Sequence, residues 1–63
     1  DSLKLYLVDE NGNEVYQAIK TEEGFIFNYL PTYGEYYFKM DNMPNKDFGN
    51  SISSKPFSLT NDN

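Results

Sequence analysis

The chain has no cysteine, histidine, arginine or tryptophan. Without cysteine there is no disulfide, and without cysteine or histidine a structural zinc site lacks its usual ligands. The same absences remove the thiol nucleophile and the side chain that most often acts as general base near neutral pH. All five cations are lysines, set against ten acidic residues, for a net charge of −5. Nucleic-acid backbones and anionic lipid surfaces attract basic patches, so neither is an expected partner. No apolar run approaches the ~18 residues of a membrane-spanning helix, and no charged-then-apolar leader opens the sequence. Membrane insertion is therefore not expected.

What is present is aromatic: six Tyr and five Phe in 63 residues. A chain of this length is one domain at most, burying about 60% of the surface its unfolded form exposes. Such a core rarely leaves more than ~3–5 kcal/mol of net stability. Each inward ring can bury roughly 150–250 Å², so a few rings could supply most of the interior. The start, almost directly in a strand, and the polar Thr60–Asn63 tail read as a single domain, residues 1–63, taken from a longer protein.

Hydropathy alternates with period two from Leu3 to Val8, with Leu3, Leu5 and Leu7 on one face and Lys4, Tyr6 and Val8 on the other. Asp9 to Asn13 holds an Asn-Gly pair suited to a tight hairpin turn. Glu14 to Lys20 resumes a strand in which Val15, Gln17 and Ile19 alternate with Tyr16, Ala18 and Lys20. Thr21 to Gly24 is a second turn, and Phe25 to Leu30 a third strand with Phe25 and Phe27 toward the core, ended by Pro31. A corner to Gly34 leads into Glu35 to Asp41, where Tyr36, Phe38 and Met40 are the set suited to burial. Asn42 to Asn50 is loop by composition, with Met43 and Phe48 able to tuck back. Ser51 to Leu59 holds a last strand that Pro56 places at an edge or splits. Four strands and a fifth, at spacings near ten residues, predict a small antiparallel β-sandwich or partial barrel.

Chemistry is sparse. Asp9, Glu10, Asn11, Asn13 and Glu14 bring oxygen ligands of the kind calcium prefers, but an EF-hand loop needs glycine at its sixth position and glutamate at its twelfth. Here Gly12 is fourth and Lys20 twelfth, so a solvated turn is the expectation. Glu22 and Glu23 are adjacent on a turn and diverge, unlike paired catalytic carboxylates. Ser2, Ser51, Ser53, Ser54 and Ser58 have no base to activate them. The chain is not expected to be an enzyme, nor to carry a cofactor or metal. Tyr6 and Tyr37, which point away from the predicted core, are the candidate ligand contacts, since exposed rings can stack on sugars or anchor a protein partner. Cross-strand ring pairing, or cover by a neighbouring domain, is the competing account.

The run Leu7-Val-Asp-Glu-Asn-Gly-Asn-Glu-Val15, then Thr21-Glu-Glu-Gly-Phe-Ile-Phe27, then Leu30-Pro31 ahead of Tyr36, Phe38 and Met40, resembles the carboxypeptidase-regulatory-like and CnaB-like domains. The likeness covers Leu3 to Asp41. It implies an all-β, transthyretin-like sandwich of about five strands with no helix of note. It also implies a non-catalytic spacer or adaptor in a larger bacterial envelope, surface or secreted protein, outside the cytoplasm, with neighbouring domains as partners. The alternative is a carbohydrate- or peptide-binding module that uses Tyr6 and Tyr37 against a cell-wall glycan or protein. In self-cross-linking relatives an early lysine joins a late asparagine beside a buried acid. Lys4 is the formal candidate, but the lysine-bearing strand would lie upstream and the glutamate expected near Lys39 to Asp41 is missing. An isopeptide is not expected.

Overall fold

A computed structural model describes residues 2–44 and 49–60. The fold is all-β: seven short strands form two antiparallel sheets, and the described residues contain no helix. The strands are β1 (Lys4–Asp9), β2 (Glu14–Gln17), β3 (Ile19–Thr21), β4 (Gly24–Ile26), β5 (Gly34–Asp41), β6 (Ser51–Ser53) and β7 (Phe57–Leu59). The main sheet runs β2-β1-β5, and β6 and β7 pair in turn with the far edge of β5; β3 and β4 form a separate hairpin.

The β1–β5 register aligns the two apolar sets read from the sequence. Leu5 faces Met40, Leu7 faces Phe38 and Asp9 faces Tyr36, while Tyr6 faces Lys39 and Val8 faces Tyr37 on the other side. Strand alternation then gives the sheet an apolar face and a polar one. The edge strands extend the apolar face, with Ile52 opposite Met40 and Phe57 opposite Tyr36.

Three local departures from simple alternation shape the sheet. First, Leu7 pairs with Tyr16 but Val8 pairs with Glu14, so Val15 is an extra, bulged residue. A bulge reverses the phase of the strand beyond it, which puts Glu14 on the polar face although Tyr16, two residues away, is on the apolar one. Second, the strand expected over Glu14–Lys20 breaks at Ala18. The Ala18 N–H donates to the Leu5 carbonyl at 2.9 Å, and the chain then leaves the sheet for the hairpin. Third, Pro56 does split the last strand. Across the gap, the Ser54 hydroxyl accepts the Phe38 N–H at 2.9 Å and the Ser54 N–H donates to the Phe38 carbonyl at 2.9 Å.

The strand expected from Phe25 to Leu30 ends at Ile26. Beyond it the chain becomes a strap across the apolar face, where Phe27 stacks on Phe38 (centroids 5.9 Å apart) and Tyr29 on Tyr16 (5.6 Å). Phe25 is half-buried, with the Lys20 ammonium 5.7 Å from its ring centroid. The strap returns to the sheet at a corner in which the Tyr36 hydroxyl donates to the Thr32 carbonyl at 2.7 Å. Gly34 sits inside this corner at φ +153°, a conformation that disfavours any side chain, and a Cβ there would lie 3.7 Å from the Tyr36 ring.

The interior is smaller than the alternation implies. Leu7, Val8, Ala18 and Tyr36 form the buried apolar set among the described residues, and Leu5 and Met40 are half-buried. Phe38 remains 37% exposed although Phe27 and Phe57 flank it. Val8, assigned outward by alternation, is the most enclosed side chain at 1% exposure. It sits on the central strand, paired in register with Tyr37 on one side and with Glu14 at the bulge on the other. Met43 is half-buried and its N–H donates to the Asn50 carbonyl at 3.2 Å; Phe48 lies outside the described residues.

Candidate functional site

Tyr6 and Tyr37 occupy the polar face, as their alternation requires, and both are half-buried. They are not equivalent. Tyr6 lies under the Lys39 ammonium, 5.2 Å from its ring centroid. Lys39 passes over that ring to form an ion pair with Glu14, and a second carboxylate, Asp41, lies 3.9 Å away. The Glu14 hydrogen bond, opposed by burial and assisted by the charges of Asp41 and Glu14, raises the Lys39 pKa above its ordinary value. A ring capped by a fixed cation offers one face fewer for stacking. Tyr37 instead borders a groove of about 310 Å³ formed with Glu10, Glu35, Tyr36 and Pro56.

The acidic turn is organised around one carboxylate. Asp9 accepts the N–H groups of Asn11 and Asn13, each at 2.9 Å, and the Asn13 side-chain amide at 3.2 Å. The Asn13 N–H, the Asn13 amide and the neighbouring backbone donors hold the Asp9 carboxyl below its ordinary range. A turn residue at Gly12 with φ +86° completes the reversal, and its N–H donates to the Asp9 carbonyl at 3.0 Å. The Asp9 oxygens thus serve their own backbone as an Asx turn. Among the described residues, no three acidic, histidine or cysteine side chains gather as a metal would require.

The remaining sequence candidates are scattered. Lys4 is exposed and paired in register with Asp41 at the end of the sheet. Glu22 and Glu23 are exposed on the hairpin turn, where the Glu23 N–H donates to the Thr21 hydroxyl at 3.2 Å. Ser51 donates to Asp41 at 2.7 Å and Ser58 donates to Glu35, so both hydroxyls tie edge strands to β5.

The feature that residue-by-residue reading misses is an apolar face that the described residues cover only in part. Beyond the strap lies a groove of about 240 Å³ lined by Leu5, Phe38, Met40, Ile52, Ser53 and Ser54. A second, of about 160 Å³, runs between the strap residues Phe27, Leu30 and Pro31 and the sheet residues Leu7, Phe57 and Leu59. Phe38 lines both, so the two grooves form one surface. Leu30 stands at its border 92% exposed, and Ile52 is 41% exposed. Alternation marks this face as apolar, and the strand pairing shows that, among the described residues, the strap covers only part of it.

Compared with known proteins, the chain matches no family model, no curated protein and no solved structure.

Proposed function

We propose that the chain is a non-catalytic structural module, a spacer or adaptor of transthyretin-like type that works by contact with its neighbours in a larger extracytoplasmic protein of bacterial type. The observation that carries this reading is the half-covered apolar face around Phe38. β-Domains bury a sheet face against a second layer, and here the strap is the cover over part of it. The Leu30-Pro31 to Tyr36 corner adds support. Its hydroxyl-to-backbone bond resembles the tyrosine corner of Greek-key sandwiches, the architecture of the carboxypeptidase-regulatory-like and CnaB-like domains. Limited proteolysis of the parent protein tests the proposal: a sharp resistant fragment spanning Leu3 to Leu59 is expected, and cleavage throughout that stretch would count against it.

One observation favours a carbohydrate-binding alternative. The Tyr37 groove combines a ring with two carboxylates, Glu10 and Glu35, a pairing of stacking surface and hydroxyl acceptors that suits a sugar. Titration with cell-wall glycans distinguishes the readings. Shift changes clustered at Tyr37 and Glu35 would favour recognition, and an unchanged spectrum would remove it.

A further inference from the structure

Asparagine is among the thermolabile side chains, and its fate depends on the residue that follows. The nitrogen of that residue can attack the side-chain Cγ and close a five-membered imide. Glycine, lacking Cβ, shields its nitrogen least. Asn11-Gly12 is the one Asn-Gly pair in the chain. Asn11 is exposed, and its side-chain amide has no partner among the described residues. Beyond its chain neighbours, no atom lies within 4 Å of the place a Gly12 Cβ would take. Asn13 and Asn42 differ on both counts. Asn13 precedes Glu14 and donates its amide to Asp9 at 3.2 Å. Asn42 precedes Met43 and donates its amide to the Ser2 carbonyl at 2.9 Å.

The same turn restrains the reaction. The Gly12 N–H donates to the Asp9 carbonyl at 3.0 Å, and the Asp9 N–H donates to the Asn13 carbonyl at 2.9 Å. With Gly12 at φ +86°, this is the three-residue hairpin loop in which a type I turn precedes a left-handed glycine. The residue before that glycine has ψ of roughly 0° in a type I turn, which holds the Gly12 nitrogen away from the Asn11 Cγ. The Asp9 carboxylate clamps this geometry through the Asn11 and Asn13 N–H groups, each at 2.9 Å. Attack therefore requires the turn to open and Gly12 to release the Asp9 carbonyl.

We propose that Asn11 is a spontaneous modification site, converted to aspartyl and isoaspartyl forms at a rate set by the Asp9 clamp. Solvent hydroxide takes the Gly12 N–H proton, the nitrogen bonds to Asn11 Cγ, and the Cγ–Nδ2 bond breaks. The departing amide takes a proton from water and leaves as ammonia. Water then opens the imide: cleavage at Cγ gives aspartate, and cleavage at the main-chain carbonyl gives isoaspartate. The isoaspartyl chain runs through Cγ, so the loop is lengthened and the Gly12–Asp9 hydrogen bond loses its register. Conversion loosens the β1–β2 connection and, with it, the Glu14–Lys39 pair.

Peptide mapping of the folded chain during incubation at mildly alkaline pH tests this. Asn11 is expected to be the first asparagine converted, with an isoaspartyl product. Asp9→Ala, its folding checked by circular dichroism, should speed conversion at least ~10-fold, the scale of losing hydrogen bonds to a charged acceptor. In urea, where the turn is lost, the two chains should react at equal rates. Amide exchange, which reports local opening, gives a check that needs no variant. Folding should slow Gly12 exchange and Asn11 conversion by the same factor, because both require the same opening. Earlier conversion of another asparagine overturns the site. Equal rates for the folded wild type and Asp9→Ala, or a mismatch between the two factors, overturns the clamp.

Discussion

The Tyr36 hydroxyl donates to the carbonyl of Thr32 at 2.7 Å, joining the strap to the start of the longest strand. The Tyr36 ring is buried and pairs in register with Phe57 on one side and Asp9 on the other. One residue thus secures the corner and fills the core.

Separating those two roles gives the first prediction. Tyr36→Phe keeps the ring and loses the hydrogen bond, which should cost about 0.5–1.5 kcal/mol. Tyr36→Ala also empties the core and should cost about 3–5 kcal/mol, enough to unfold a domain of this size. Urea denaturation measures both. Equal losses would mean that the ring contributes little beyond its hydroxyl.

Val8 and Leu30 reverse the usual ranking of valine and leucine. Val8 is 1% exposed and Leu30 92% exposed. Val8→Ala should destabilise the monomer by roughly 2 kcal/mol, from lost transfer free energy plus a cavity. Leu30→Ala should stay within about 0.5 kcal/mol. A larger loss for Leu30→Ala than for Val8→Ala would contradict the strap geometry.

The Lys39–Glu14 pair predicts an alkaline effect. Because the folded pKa of Lys39 lies above the ordinary 10.5, its contribution is fully present below that value and disappears as pH rises through the folded pKa. The difference in urea midpoint between the wild type and Lys39→Met should hold steady near neutrality and shrink toward zero as pH rises past the ordinary 10.5 and through the folded pKa. A gap that persists at high pH would assign the effect to packing of the lysine stem on Tyr6 instead.

Asp9 predicts the opposite dependence. Its folded pKa lies below the ordinary 3.8, chiefly through the Asn13 N–H. Its stabilising contribution is present above the ordinary value and is lost as pH falls through the lower folded one. A carboxyl-carbon titration should place the Asp9 midpoint below the ordinary 3.8. Asp9→Ala should flatten the acid limb of the stability profile and loosen the Asn11–Asn13 backbone, seen as faster amide exchange.

How far the fold was legible varies with the range of the interaction. The Leu3–Val8 and Glu35–Asp41 alternation and the Asn11-Gly12 turn are local signals, and each appears where expected. The phase of β2 was not legible. One extra residue at Val15 is a property of pairing, and it turns Glu14 toward Lys39. The end of β4 at Ile26 was equally hidden, because Phe25 to Leu30 reads as a strand until the strap is needed across the sheet. The outward Tyr6 and Tyr37 were legible as a face, but the lysine above Tyr6 was not.

Composition and alternation alone determined the all-β class, the poverty of chemical groups and the two sets of side chains that share the apolar face. Those follow from what each residue is and from the two-residue period of an extended backbone. Tertiary structure decided how well that face is covered, which rings touch and where charge gathers. Cover depends on how many layers the folded chain can supply, and here the strands are used in building one sheet and a small hairpin. Among the described residues, the face around Phe38 is left partly exposed.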